Sequence, residues 1–529
     1  MKEASTLLGN SESPARLLLR LPILERSTAA ELNHEFTLPD YLPEIRKMLR
    51  VHVTILPPES YTSASSVEFS GKLLYRILYT GADGQLWSAT LPEEYTFALP
   101  FDLPDSCDLS MGIDAFADSI PDLAVTRVLS PRKIGIRFRM KSNVRAYGFH
   151  SLEESLAGSP HGRIERLTGE CDAAVILRGT EPEIEFSDEL FLPSGNGASV
   201  RVIGGDGEVF VSEAVADRNQ VLLRGELLLK LLTVTEGDSQ APCLPTVTVR
   251  KLPFSVPVAI EGADRYCDAR GYGKIADLSI MAEEGRILSD LKVAFTAECQ
   301  RNQRFSYTRD VFSTGASCEN EYRDTALPYA LHAQNANFTL SDSIPLDGSG
   351  ISPSARILDA TGDITPDTVT ESDGKLLFTG NAHFSVLTAD PEGGEYGFGD
   401  ITVPFRYTAD RAGASEELPA LSACDVSMSP VTVRLRSDGQ TLSVDAEISV
   451  AYRTEGKAVI HHLSAAHFGD PIPPQKGCIL LAYPPKDSSL WDTAKKYRTA
   501  LASLSEQNGL SLAPDAPLEG IRVLVVKES

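Results

Sequence analysis

Hydrophobic and polar residues alternate along much of this chain. The clearest stretch runs from Lys375 to Val386. Leu376, Phe378, Ala382, Phe384 and Val386 face one way, and Lys375, Thr379, Asn381, His383 and Ser385 the other. A period of two predicts a strand with one buried face. The same pattern occurs at Val67–Tyr79 and at Val221–Leu231. Each stretch carries a glycine at its middle: Gly71, Gly225 and Gly380, spaced 154 and 155 residues apart. A mid-strand glycine costs roughly 0.5–1 kcal/mol relative to alanine. Its recurrence therefore points to a bulge, a sharp coil or the close approach of another backbone.

Further landmarks recur with the glycines. Pro-Phe pairs stand at Pro100-Phe101, Pro253-Phe254 and Pro404-Phe405, with spacings of 153 and 151. They read as edge-strand entries in which Phe101, Phe254 and Phe405 plug a core. Upstream, Met48-Leu49, Val202-Ile203 and Ile357-Leu358 fall at matching offsets. Late strands end in Val144-Arg145-Ala146-Tyr147, Ala294-Phe295-Thr296-Ala297 and Val450-Ala451-Tyr452. Asp83-Gly84 and Asp373-Gly374 are hairpin-turn signals. The pattern predicts a mainly β chain: three tandem β-sandwich or open-barrel-like repeats of about 150 residues, then a smaller module. The expected boundaries are 1–150, 151–315, 316–470 and 471–529. One short helix is expected near Pro43 to Leu49, where Ile45, Met48 and Leu49 share a helical face.

The C-terminal segment changes period. A proline-dense linker, Gly469 to Pro474, is followed by a short apolar strand from Cys478 to Tyr483. Asp487-Ser488-Ser489 supplies N-cap chemistry for a helix over Leu490–Tyr497, with Leu490, Ala494 and Tyr497 stacked at i, i+4 and i+7. Thr499 is the expected cap of a second helix, with Leu501 and Leu504 inward. Asn508-Gly509 stops it, and Ile521 to Val526 forms a closing strand. The expected order is strand, helix, helix, strand.

On Leu490-Trp491-Asp492-Thr493-Ala494-Lys495-Lys496-Tyr497, Leu504 and Asn508, the segment Gly477 to Val526 resembles the LysM domain. That resemblance implies binding of N-acetylglucosamine-containing glycans between the loops Pro485–Ser489 and Asn508–Ala513. Two positions depart from the family pattern: Lys486 stands where a glycine is usual, and the closing strand lacks its terminal proline. Nearly the whole chain is similar to the SPOCS-domain family of endospore-forming bacteria. The residues carrying this are the Val-x-x-x-Gly-x-Leu strands around Gly71 and Gly225, the Pro-Phe pairs, and Leu38-Pro39 with Pro43-Glu44-Ile45. The third copy diverges most, with Asn381-Ala382 after its glycine. This resemblance implies a mother-cell cytoplasmic protein that builds the coat base layer at the forespore surface. It also implies that the module captures the coat morphogenetic ATPase. Partner- or glycan-binding residues would be Asp487, Ser489, Leu490, Trp491, Lys495, Lys496 and Asn508. The alternative is a peptidoglycan-binding protein using the same module.

Composition sharpens this picture. The 529 residues predict three or four domains, and a 42% hydrophobic fraction is ordinary for folded protein. The net charge of -24 argues against nucleic acid and anionic membrane surfaces as partners. From Lys476 onward there are 7 basic and 6 acidic side chains, so the acidity belongs to the body. The eight cysteines show no C-x-x-C spacing and read as reduced thiols, without zinc. Met1 to Pro22, with Glu3 and Glu12, lacks the apolar core of a signal peptide, so a cytoplasmic location is expected.

Catalytic and metal motifs are missing too. His461, His462 and His467 invite a metal reading, but they are expected as surface residues in a loop. Gly204-Gly205-Asp206-Gly207 lacks the Lys-Ser/Thr of a P-loop. Asp105, Asp108, Asp114 and Asp238 do not match a calcium loop. The sequence predicts no enzyme, no cofactor and no metal site. A tethered hydrolase would need one unit with polar groups converging on a cleft.

Overall fold

A computed structural model describes residues 18–527, apart from residues 64, 104–106, 108–109, 111, 192–198, 237–243, 284, 373–374, 391–394, 411–419, 474–478 and 486. Glu3, Glu12, Asp105, Asp108, Asp238, Cys243, Asp373-Gly374, Cys478 and Lys486 thus lie outside the described residues.

The chain is mainly β, with two short helices near its end among the described residues. A first strand group comprises β1 (Leu18–Thr37), β2 (Ile45–Ile55), β3 (Glu59–Thr62), β4 (Ser66–Gly81), β5 (Leu86–Pro100), β6 (Ile113–Ser130) and β7 (Lys133–Ser151). A connecting strand, β8 (Ser155–Ala157), follows. A second group comprises β9 (Ile164–Phe191), β10 (Ser199–Asp217), β11 (Gln220–Glu236), β12 (Thr246–Ala259), β13 (Asp268–Glu283) and β14 (Arg286–Ser313). A third comprises β15 (Ala316–Pro345), β16 (Arg356–Ser372), β17 (Lys375–Ala389), β18 (Tyr396–Asp410), β19 (Ala420–Leu435) and β20 (Thr441–Pro471). The C-terminal module holds β21 (Ile479–Ala482), α1 (Leu490–Tyr497), α2 (Leu501–Asn508) and β22 (Leu524–Lys527).

Each group forms two antiparallel sheets. In one, the last strand sits between the first and the penultimate: β1-β7-β6, β9-β14-β13 and β15-β20-β19. The other is a meander centred on the glycine-bearing strand: β4 between β2 and β5, β11 between β10 and β12, β17 between β16 and β18. Apolar faces of the two sheets meet inside each group, in one core in the second and third groups and in two clusters in the first. Tyr75 and Ile77 of β4 pack with Ile136 and Phe138 of β7, Leu227 of β11 with Phe295 of β14, and Phe384 of β17 with Ile448 of β20. Burial along β17 alternates as the sequence pattern requires.

The central glycines make room for rings. Gly225 pairs with Phe254, and Gly380 with Phe405, across the meander. In the first group the residue opposite Gly71 is Tyr95. A Cβ on Gly71 would lie 2.7 Å from the Tyr95 ring, and one on Gly225 only 1.9 Å from the Phe210 carbonyl. Phe101 is buried beyond the end of β5, so the first Pro-Phe pair is out of structural register with the other two. The prolines lie within the edge strands β12 and β18, not at their entries.

The helix expected near Pro43 to Leu49 is a strand instead. Ile45 and Leu49 are four residues apart, a spacing that a helical face and an even strand spacing share. Pairing with β4 decides, and bulges lie between Ile45 and Lys47 and between Met48 and Arg50. A bulge adds one residue to a strand and re-aims side chains. Here Met48 packs on the core of its own group, while Leu49 points away from it. The same register shift skips Ile203 in β10 and Leu358 in β16. Leu49, Ile203 and Leu358 meet in one cluster with Leu78, Leu232 and Leu387, joining all three groups.

At the other end, the long hairpins share a second apolar cluster: Leu21 and Leu152, Ala173 and Phe305, Leu327 and Ile460. β8 leaves the first group and pairs in parallel with Ala465–His467 of β20, tying the connection to the third group. Among the described residues no helix is long and apolar enough to cross a membrane.

Candidate functional site at the docked C-terminal module

The module is built around α1. Ser489 caps it: its hydroxyl accepts from the Asp492 amide at 3.1 Å, and its own amide donates to the Asp492 carboxylate at 2.8 Å. This reciprocal capping box satisfies two of the donors a helix start leaves open. Arg498 ends the helix in the left-handed region, at φ 52°. α2 begins at Ala500 with no side-chain cap, so Thr499 does not serve as one. Gly509 ends α2 at φ 62°. Gly469 to Pro471 still belong to β20, so the linker is shorter than its composition implies.

α1 faces the body of the protein. The module core of Leu490, Trp491, Ala494, Leu504, Leu518, Leu524 and Val526 is completed by Leu167 of β9 and Phe312 of β14. The Trp491 and Phe312 rings meet edge to face, 5.0 Å between centroids. Beside them, Asp310 of β14 accepts the Trp491 indole N–H at 2.8 Å. Its carboxylate also takes the Lys495 ammonium at 2.6 and 2.8 Å, the Tyr322 hydroxyl at 2.8 Å and the Asn320 amide at 2.6 Å. Burial alone would raise the Asp310 carboxyl. The hydrogen bonds from Lys495, Trp491 and Tyr322 outweigh burial and hold it below the usual carboxylate value. Burial likewise pulls Lys495 down, but Asp310 raises it above the ordinary lysine value. Arg309 adds an ion pair to Asp515 at 2.7 Å.

This docking decides where the candidate binding residues stand. Ser489, Leu490 and Trp491 are buried, with Trp491 only 3% exposed. Lys495 is paired with Asp310. Asn508 holds α2 to β22, donating to Leu504 and Val525 carbonyls and accepting the Val525 amide. Asp487 and Lys496 remain solvent-facing. The segments flanking the expected groove are stitched together by backbone bonds, Trp491 to Pro514 at 2.8 Å and Leu518 to Ser488 at 3.0 Å. Leu167, Asp310, Phe312 and Tyr322 are the body's half of the site. Nothing in the strand pattern sets Asp310 apart from other solvent-side acids.

Two further polar clusters lie between the strand groups. In the first, Glu298 (4% exposed) accepts from Arg270 at 2.7 and 3.0 Å and from Arg178 at 2.9 Å. Arg453 of the third group approaches Glu298 at 3.8 Å and donates to Tyr147 of the first at 3.3 Å. Asp118 of β6 pairs with Arg178 at 3.3 Å. Burial would raise Glu298, but Arg270, Arg178 and Arg453 hold it far below the usual range. In the second cluster, Asp206 of β10 pairs with Arg76 at 2.7 Å, Arg50 at 3.4 Å and His52 at 3.7 Å, and His52 reaches Asp363 of β16 at 3.7 Å. Charges in both clusters are matched across group boundaries.

His461, His462 and His467 are strand residues of β20, not loop residues. His461 pairs with Asp324 at 2.7 Å and His467 with Glu321 at 3.5 Å, while His462 is buried against Thr325. Among the described residues no group of three His, Cys, Asp or Glu side chains is arranged to hold a metal ion. A cleft of about 550 Å³ opens between the second and third groups, lined by Asp264, Tyr266, Asp268, Arg301, Arg304 and neighbours. Asp264 pairs there with Arg301, and Asp268 with His332. Asp114 bridges to Arg20 at 2.8 Å.

No protein-family model, curated protein or solved structure matches this chain.

Proposed function

We propose that this chain is a non-enzymatic structural adaptor of endospore coat or envelope assembly. Its three strand groups are copies of one SPOCS-like unit, and its LysM-like module is the arm that takes a protein partner. The partner that fits the resemblance is the coat morphogenetic ATPase, met in the mother-cell cytoplasm at the forespore surface. The observation that carries a scaffold reading is the use made of charge. Asp118 of the first group meets Arg178 and Arg270 of the second, and Glu298 of the second meets Arg453 of the third, so these charges are spent joining strand groups to one another. Repetition of such units favours a platform. A glycan reading finds less support: Asn508 is committed to Val525, and Trp491 is turned toward Phe312.

The experiment is a titration of the full chain against the coat ATPase and, separately, against chitooligosaccharide. Saturable binding of the ATPase alone supports the adaptor. Binding of the glycan alone replaces it with a wall-binding protein. Binding of neither removes both.

A further inference from the structure

Cys267 and Cys299 are brought together by the sheet. Ala269 of β13 pairs with Cys299 of β14, and Cys267 lies two residues before Ala269, on the same face. Both thiols enter the core of the second group, with Cys299 fully enclosed and Cys267 8% exposed. They are free in this structure, and the Cys299 thiol is placed to hydrogen-bond the Cys267 sulfur.

The two ends of the pair differ. Cys299 is fixed at the centre of a three-stranded sheet, between Ala269 and Leu177. Cys267 sits at the end of a turn, where its amide donates to Asp264 at 3.1 Å and its thiol lies 3.7 Å from the Asp264 carboxylate. Arg301 is paired with that carboxylate. A turn residue can move toward a fixed partner more cheaply than one strand can move toward another. The Cys299 hydrogen bond lowers the Cys267 thiol to about 7 and raises Cys299 in turn. The more open sulfur is therefore also the more nucleophilic at neutral pH.

We propose that Cys267 and Cys299 form a reversible disulfide when the protein meets hydrogen peroxide. The Cys267 thiolate attacks one peroxide oxygen, the O–O bond breaks, and the departing hydroxide takes up a proton as water. Cys267 is then a sulfenic acid. The Cys299 thiol gives up its proton and attacks the Cys267 sulfur, the S–O bond breaks, and a second water leaves. Two thiols are oxidised and one peroxide is reduced. The bond pins the 260–267 turn to β14, beside the seam where Asn302 exchanges two 2.8 Å hydrogen bonds with Ala330 of β15.

The test treats the folded full-length chain with hydrogen peroxide, blocks remaining thiols with an alkylating agent, and maps peptides by mass spectrometry. The expected product is a Cys267–Cys299 linked peptide, formed within the monomer and returned to two thiols by dithiothreitol. The Cys299→Ser variant should leave Cys267 as a sulfenic acid that a dimedone-type reagent traps. Oxidation confined to other cysteines, or full alkylation of both residues in the peroxide-treated wild-type chain, overturns the proposal without relying on any variant's folding.

Discussion

The Trp491 indole N–H is satisfied by Asp310, which lies 181 residues earlier in the chain. One carboxylate thereby fixes the orientation of a whole module, because it also holds Lys495 from the same face of α1.

Replacing Asp310 tests this relationship. Asp310→Ala leaves the indole N–H and the Lys495 ammonium without their acceptor, and unsatisfied buried donors cost about 1–3 kcal/mol. The ammonium adds little, because Lys495 is more than a third exposed and screened by water. Amide exchange along α1 should accelerate while that of β11 stays unchanged. Equal protection in variant and wild type would show that the apolar contacts alone hold the module. Acid should act in the same direction. Asp310 is lowered from 3.8, so its contribution is present above that value and is lost as pH falls through its folded pKa.

Trp491 and Lys496 make a contrasting pair on adjacent positions of one helix. Trp491→Ala removes a ring from a core shared by module and body, at a cost of about 3–5 kcal/mol. Lys496→Ala removes an exposed side chain and should stay within about 0.5 kcal/mol. A melting transition of the module that drops sharply for the first and not the second is the expected result. A partner that binds the outward face should instead respond to Lys496→Glu, with the melting transition unmoved.

Much of the architecture was readable in the alternation. Leu376, Phe378, Ala382, Phe384 and Val386 declare a strand, and β17 buries those positions. The helix expected at Ile45 to Leu49 shows where the pattern fails. A bulge removes the strict period of two, and which side chain turns outward is settled by pairing with β4 and by the other two groups. The same limit applied to the site. Ser489 and Asp492 are local, so the cap was legible from four consecutive residues. The direction α1 faces was not, because Asp310 and Phe312 come from a strand distant in sequence.

Glu298 is the second place where one residue governs many. It faces Arg178, Arg270 and Arg453, each almost fully buried. Glu298→Ala leaves three guanidinium groups sharing Asp118 and Glu455 as their remaining carboxylates. Breaking a buried ion pair from one side costs about 3–5 kcal/mol, whereas an exposed pair such as Lys251 with Glu226 is worth under about 1 kcal/mol. The melting midpoint should fall far more for Glu298→Ala than for Lys251→Ala. Similar midpoints would mean that water fills the cluster and solvates the arginines.

His52 gives the protein a pH dependence near neutrality. Burial alone would lower its pKa, but the Asp206 and Asp363 carboxylates raise it above 6.5, against opposition from Arg50. The folded state thus binds the proton more tightly than the unfolded chain. This contribution is full below 6.5 and is lost as pH rises through the higher folded value. Asp206 and Asp363 belong to β10 and β16 while His52 belongs to β2, so the proton strengthens contact between all three strand groups. The check is the difference in melting temperature between wild type and His52→Gln from about pH 5 to about pH 9. The wild type should lead on the acid side and the lead should shrink with rising pH. A difference that is flat across the range would show that His52 stays neutral and serves only as packing between β2 and β16.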